Sequence, residues 1–278
     1  MLRNARRVLV LFAAMICSSL ALAQPQSAKK EYEPSVGQSG KDVVWVPSPQ
    51  ALVDRMLDMA KLTPSDIHYD LGSGDGRTVI TAAKRGTRAY GIEYNPDMVE
   101  LAKRNAQKEG MADKATFTRG DIFTPESIKA YTQATVITLF LLPDLNVKLR
   151  PTLLDMKPGT RIVSNSFTMG DWKEDEKISA GGDCTSWCTA YLWIVPAKVS
   201  GNWKTSRGDL TLKQEYQMLS GNLARGNVSA IISEAKMNGG QIAFTAAGAQ
   251  YTGRVNGNAI EGSYKSGEGN GKWSATRQ

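Results

Sequence analysis

Across 278 residues the chain carries 34 Lys and Arg against 27 Asp and Glu, a net charge of +7, with 41% apolar residues and one histidine. That length and apolar share allow more than one core. The lone His68 excludes much Ser-His or Cys-His chemistry, which would have to run through it.

Residues 1–23 hold Arg3, Arg6 and Arg7 and no acid, then an apolar run from Val8 to Leu22 that ends in Ala21-Leu22-Ala23. A basic head, a short apolar stretch and a small-x-small end read as a cleavable secretory signal peptide. About 15 apolar residues fall short of the ~20 a spanning helix needs. The mature chain is therefore expected to be exported, periplasmic or secreted, without stable membrane insertion; an uncleaved anchor is the alternative. Residues 24–41, rich in Gln, Ser, Lys, Glu and Gly without apolar periodicity, read as a flexible leader.

From there helix-like and strand-like stretches alternate. Helices are predicted at 49–60, 77–85, 97–109, 125–131 and 144–155, and strands at 66–71, 88–93, 115–119, 134–141 and 160–166. Such alternation implies a mostly parallel, doubly wound sheet, a Rossmann-like α/β domain over residues 42–198. An apolar run from Thr185 to Val199 adds a strand at the antiparallel edge. Cys17 leaves with the signal, and Cys184 and Cys188, with three residues between them, are predicted in an oxidising compartment to form a local disulfide, with two free thiols as the alternative. Two thiols and one distant histidine do not make a zinc shell, so no metal is expected. His68 alternates with Ile67 and Tyr69 and reads as a packing residue.

Half of the 26 glycines fall in residues 201–278, between short alternating runs. Residues 199–278 therefore read as a small antiparallel β-barrel or β-roll, with hairpin signals at Asn238-Gly239 and Asn256-Gly257. Its aromatics Trp203, Tyr216, Phe244, Tyr251, Tyr264 and Trp273 are expected in the core. This tail has nine basic and five acidic residues, which leaves residues 24–198 balanced at 22 against 22. A balanced domain lacks the basic face of a nucleic-acid binder.

The strongest motif is Asp70-Leu71-Gly72-Ser73-Gly74-Asp75-Gly76-Arg77, where a predicted strand turns into a helix. Glycines there let backbone approach a ligand, and free amides at a helix start favour polar groups. Glu93 ends the next strand 21 residues beyond Gly72, where a carboxylate can accept from ribose hydroxyls. Asp121 follows the third strand and could accept from an adenine amino group while Ile122 packs on the ring. The third glycine comes one residue too early for a dinucleotide fingerprint, which disfavours a nicotinamide dehydrogenase.

Asp70 to Arg77, Gly91 to Pro96 and Gly120 to Ile122 resemble the nucleoside-binding motifs of class I S-adenosylmethionine-dependent methyltransferases. Together with Val46-Pro47-Ser48-Pro49 and Thr138-Leu139-Phe140-Leu141-Leu142-Pro143, they are more narrowly similar to the small lysine N-methyltransferases related to the mitochondrial ATP-synthase c-subunit enzyme. The resemblance covers about residues 43–172 and leaves the β tail untouched. It implies S-adenosylmethionine as cofactor, with Gly72, Gly74 and Gly76 beneath the methionine portion and Asp70 or Asp75 at its ammonium. Glu93 would meet the ribose, and Asp121 and Ile122 the adenine. Leu142-Pro143-Asp144 stands where many amine methyltransferases carry an Asn/Asp-Pro-Pro-aromatic turn, so nucleobase amines are disfavoured as acceptors.

The expected function is methylation of a protein amine such as lysine. Asp144 or Asn146 are the candidates to orient that amine, although both could merely cap the following helix. Trp45 and Tyr94 are candidates to wall the acceptor channel. The alternative is a non-catalytic envelope protein that retains a nucleoside pocket and binds a partner through its β tail. Export raises a constraint for the enzyme reading, because the donor is made in the cytosol.

Overall fold

The computed structural model describes residues 31–182 and 184–278. The predicted signal peptide, and residues 24–30 of the predicted leader, lie outside the described residues.

The α/β domain runs α1 (Gln50–Met59), β1 (Ile67–Leu71), α2 (Arg77–Lys84), β2 (Arg88–Glu93), α3 (Pro96–Lys108), β3 (Ala115–Arg119), α4 (Pro125–Tyr131), β4 (Val136–Leu139), α5 (Pro143–Leu154), β5 (Arg161–Asn165), β6 (Glu176–Ser179) and β7 (Thr189–Ile194). Local chemistry sets several starts. Asn95 accepts from the amides of Asp97 and Met98 ahead of Pro96, and Thr124 accepts from Ser127 ahead of Pro125. Both pair a side-chain cap with proline at the first helical position, where a missing N–H costs nothing.

The sheet order is β3-β2-β1-β4-β5-β7-β6. Strands β1 to β5 pair in parallel, whereas β7 is antiparallel to both β5 and β6. The late strand is therefore shorter than expected and is not the edge. Glu176–Ser179, whose four residues give too short a pattern to recognise, takes that place.

Strand alternation divides the core into two layers. Val53, Leu57, Val79, Val99 and Phe117 pack on one face beneath α1, α2 and α3. Leu71, Ile137, Ile162, Leu149 and Leu153 pack on the other beneath α4 and α5.

The tail forms β8 (Gly201–Thr205), β9 (Gly208–Glu215), β10 (Met218–Arg225), β11 (Val228–Ile231), β12 (Ser233–Asn238), β13 (Gln241–Ala246), β14 (Ala249–Asn256), β15 (Ala259–Ser266) and β16 (Gly269–Arg277). Neighbours are antiparallel, and pairing of β9 with β10 closes the sheet into an eight-stranded barrel with β11 attached to β10. The two predicted hairpins form with Gly239-Gly240 and Gly257-Asn258 as their loops, one residue later than the Asn-Gly steps. Gly239 and Gly257 have φ of 57° and 60°, which such tight turns demand.

Phe244 and Tyr251 stack at 4.7 Å, and Trp273 meets both edge-on. Trp203 is also fully buried in the barrel, and Tyr264 packs against its core. Tyr216 departs from the expectation. It stacks on Trp172 of the α/β domain at 6.0 Å, and its hydroxyl donates to Asp171 at 2.9 Å. Nearby, Trp172 Nε1 donates to Gln217 Oε1 at 3.0 Å, and Gln217 Nε2 donates to the Lys173 carbonyl at 2.8 Å. These contacts fasten barrel to sheet.

Candidate active site

A cavity lies over the ends of β1, β2 and β4, and the glycine motif forms part of its wall. Gly72, Gly74 and Gly76 all take positive φ, at 83°, 53° and 83°. At Gly74 a Cβ would come within 2.8 Å of Trp45 Nε1, and at Gly76 within 2.7 Å of the Phe117 ring, so larger residues would both strain the backbone and collide. Gly76 caps α2 and turns the loop directly into a helix start.

Glu93 braces this loop. One carboxylate oxygen accepts from the Gly74 amide at 3.0 Å and the other from Asn95 at 2.9 Å. A carboxylate has about four acceptor sites, so both oxygens keep capacity for ligand hydroxyls. Asp75, by contrast, is taken up by Arg77, whose Nε and Nη2 donate to it at 3.1 and 2.6 Å. Arg77 also donates to the Ser48 carbonyl at 2.9 Å, while Asn165 Nδ2 donates to Ser48 Oγ at 3.1 Å. Residues 46–48, which line the cavity, are thereby clamped between α2 and β5.

Of the two acids proposed for a ligand ammonium, Asp70 is the one without a cationic partner. Thr138 Oγ1 donates to Asp70 Oδ1 at 2.6 Å and contacts His68 Nε2 at 2.8 Å. Parallel register puts Asp70 opposite Thr138 and His68 opposite Val136, so the three side chains share one face. Burial pushes the Asp70 carboxyl up to about 7, with Glu93 and Asp75 adding to the rise. Burial also pulls His68 down to about 3, so it stays neutral. As expected, His68 is a packing residue, fully buried.

Ile122 and Asp121 also line the cavity. Asp121 accepts from the Phe123 amide at 2.9 Å and from Lys41 Nζ at 2.7 Å. The Lys41 ammonium, aided by that amide, holds the Asp121 carboxyl below its usual range. Lys41 belongs to a segment expected to be flexible, yet the Gly37 amide donates to the Trp45 carbonyl and the Trp45 amide to the Gln38 carbonyl. A Ser39–Val44 bridge completes a small turn whose residues 38–47 line the cavity. Composition hid this, because the turn has no periodicity and gains order only by packing on the site.

The proposed amine-orienting residues require correction. Asp144 is exposed in the first turn of α5, and Asn146 is fully buried; neither lines the cavity. Asn146 Nδ2 instead donates to Ser164 Oγ and to the carbonyls of Phe167 and Thr168, at 3.2–3.3 Å, which fixes the chain after β5. Helical periodicity is the reason: two residues apart on a helix, these side chains point to different sides. Trp45 and Tyr94 do line the cavity.

The sequence reading missed three rings that form the other rim. Phe140 follows β4, Phe167 follows β5, and Trp187 sits between the disulfide-bonded Cys184 and Cys188, whose Cα atoms are 5.8 Å apart. Ring centroids are 6.2 Å apart for Phe140–Phe167, 5.8 Å for Phe140–Trp187 and 5.6 Å for Phe167–Trp187. Phe140 and Phe167 carried the weak signal of aromatic residues just past strand ends; Trp187, which precedes β7, carried none.

The residues fit S-adenosylmethionine. Three left-handed glycines clear space for its backbone-like portion, Asp70 and Glu93 offer acceptors, and Ser73 Oγ is buried in the same wall with no partner among the described residues. Comparison with known proteins agrees. Residues 70–176 match the family model of the ANTKMT methyltransferase domain. A protein-lysine N-methyltransferase of Saccharolobus islandicus is 40% identical over 55% of this chain and 94% of its own length. The lysine N-methyltransferase of the ATP-synthase c-subunit from Rattus norvegicus is 30% identical over 51% of this chain and 64% of its own length. Among solved structures, an RNA methyltransferase from Salinibacter ruber in complex with S-adenosyl-L-homocysteine is 44% identical, with a TM-score of 0.50 and coverage of 55% of this chain and 96% of that one. With three successive strand ends supplying the glycine loop, Glu93 and Asp121, and a relative covered almost end to end, this chain belongs to the S-adenosylmethionine-dependent methyltransferases, in the family that includes the small lysine N-methyltransferases.

Proposed function

We propose that this enzyme methylates a lysine side chain of a protein. The observation that carries the reading is the asymmetry of the cavity: its carboxylates come from the 38–47 turn, the glycine loop and the ends of β1, β2 and β3, whereas Leu141, Leu142, Phe140, Phe167 and Trp187, which follow β4 and β5 or precede β7, supply an apolar rim. Bound there, S-adenosylmethionine supplies a methyl group on a sulfonium for in-line displacement. Glu93 holds the ribose, Asp121 and Ile122 the adenine, and Asp70 the ammonium.

The rim contributes position and exclusion of water, which suit a neutral amine nucleophile. The incoming lysine must lose its proton to solvent before it attacks, because only the neutral amine carries the lone pair. The named relatives support lysine, although one solved relative is named for RNA. The even balance of 22 basic and 22 acidic residues across 24–198 favours protein over a polyanion.

Methyl transfer from labelled donor to lysine-bearing protein and to total RNA tests this. Protease-sensitive label on lysine is expected; label released only by ribonuclease would overturn the reading. Glu93→Ala is expected to weaken S-adenosylhomocysteine binding about 100-fold by calorimetry, from loss of charged hydrogen bonds to ligand and loop.

We further propose export by residues 1–23. The basic head and short apolar run support it, and so does the Cys184–Cys188 disulfide, a bond that persists in oxidising compartments. Among the described residues no helix is long and apolar enough to cross a membrane. N-terminal sequencing of the fractionated protein tests export: a chain recovered in the cytosol still beginning at Met1 would count against it.

A further inference from the structure

The topology explains how Trp187 reaches the donor cavity. Strand β7 runs against β5, with Asn165 opposite Ala190 and the Ser166 amide donating to the Thr189 carbonyl at 2.7 Å. The chain entering β7 therefore arrives at the rim where β4 and β5 end. That chain is the loop closed by Cys184 and Cys188. Trp187 stands inside the closure at φ 57°, an unusual conformation for a bulky residue, and the residue is 44% exposed. A side chain of this size left facing water next to two half-buried phenyl rings, and lining the same cavity as the glycine loop, is placed to meet something that enters.

The chemistry of the rim narrows what enters. Residues 139–143, 165–169 and 184–188 contain no carboxylate. The carboxylates of the cavity, Asp42, Asp70, Asp75, Glu93 and Asp121, belong to other segments, so what these three segments themselves offer a cation is ring faces, of which tryptophan is the strongest. Ring faces also accept an apolar butyl stem, so a lysine side chain matches along its whole length.

We propose that Phe140, Phe167 and Trp187 are the acceptor port of the enzyme, with Trp187 its specificity-determining residue for a lysine-type cation and the Cys184–Cys188 disulfide the brace that holds Trp187 in place. This rests on the lysine reading for its natural substrate but not for its cation selectivity. The brace is a positioning element: it touches no substrate and acts through Trp187 alone.

Two readouts separate the port from the lysine reading. The first is binding of n-butyltrimethylammonium and of its uncharged carbon isostere to the full protein saturated with S-adenosylhomocysteine, followed by NMR saturation transfer. The cation is expected to bind more tightly than the isostere, and Trp187→Ala to weaken it about tenfold, with Trp187→Phe restoring part of the loss. The second is methyl transfer to poly-L-lysine, where Trp187→Ala is expected to raise KM about tenfold at nearly unchanged kcat. Cys184→Ser/Cys188→Ser should move KM in the same direction by a smaller factor. Unchanged S-adenosylhomocysteine affinity in each variant certifies the fold.

Equal binding of cation and isostere, or a Trp187→Ala enzyme with unaltered cation binding and KM, would overturn the port. Cation binding that Trp187→Ala weakens, with no transfer to poly-L-lysine by the unaltered enzyme, would uphold the port and sink the lysine reading instead.

Discussion

The α/β domain and the β-barrel are both built on continuous apolar cores, but they differ in the polar groups they hide. Among the described residues, every buried polar side chain except Thr205 and Gln217 belongs to the α/β domain, His68, Asp70, Ser73, Thr138 and Asn146 included. The two exceptions do structural work: Thr205 Oγ1 closes its own turn by donating to the Gly208 carbonyl at 2.7 Å, and Gln217 fastens the barrel to the sheet. Burying a polar group costs free energy unless it is satisfied. Of the five named in the α/β domain, Asp70 and Ser73 line the cavity, and Ser73 Oγ has no partner among the described residues, which leaves both available to a ligand. The barrel interior offers a ligand nothing, because Trp203, Phe244, Tyr251 and Trp273 fill it.

The sharpest way to break that contrast is Trp203→Ala. Its ring is fully buried and its Nε1 donates to the Val199 carbonyl at 2.8 Å, so the substitution is expected to destabilise the barrel by about 3–5 kcal/mol in denaturant unfolding. Donor affinity should stay unchanged; a parallel loss would mean that the barrel shapes the site.

A smaller effect concerns Asp70. Its carboxyl titrates near 7 in the folded protein against a usual value of 3.8, so its share of ligand-free stability is fully present below about 4. That share is lost as pH rises through about 7. A bound ammonium favours the ionised form, so S-adenosylhomocysteine affinity should be flat above pH 7 and weaken about tenfold per pH unit below it. Asp70→Asn should abolish that slope in calorimetric titrations across pH 5–8; a slope that persists would assign the titration to another group.

The smallest expected effect is at Lys41, whose exposed ammonium occupies the Asp121 carboxylate. Lys41→Ala should strengthen donor binding a few-fold at low salt, and the gain should shrink at high salt as the exposed pair is screened. Weaker binding would instead make Lys41 part of the donor site.

Much of the architecture was legible because it is written in local chemistry. Strand alternation, Asn95 and Thr124 caps and the glycine motif each act over a few residues, so they fix α1 to α5, β1 to β5 and the hairpin turns without help from distant chain. The carboxylates at 70, 93 and 121 were legible for the same reason: each stands at or within two residues of a strand's C-terminal end, and parallel strands end on one side. Asp144 and Asn146 misled because a helix start fixes which residues come first and leaves open which way they face. The 37–45 turn was invisible because it has no pattern of its own and is ordered by Glu93's neighbours, by Gly74 beneath Trp45 and by Asp121.

The sequence by itself therefore determined the donor half of the enzyme, a glycine loop followed by acids at fixed strand ends. Only the tertiary structure decided the acceptor half. Phe140, Phe167 and Trp187 come from three separate segments, and no spacing rule relates residues brought together by an antiparallel strand and a disulfide. It also decided which acid is free: pairing with Arg77 occupies Asp75, and burial beside Thr138 leaves Asp70. Short-range rules place backbone and caps, whereas the choice among competing partners is made by packing across the sheet.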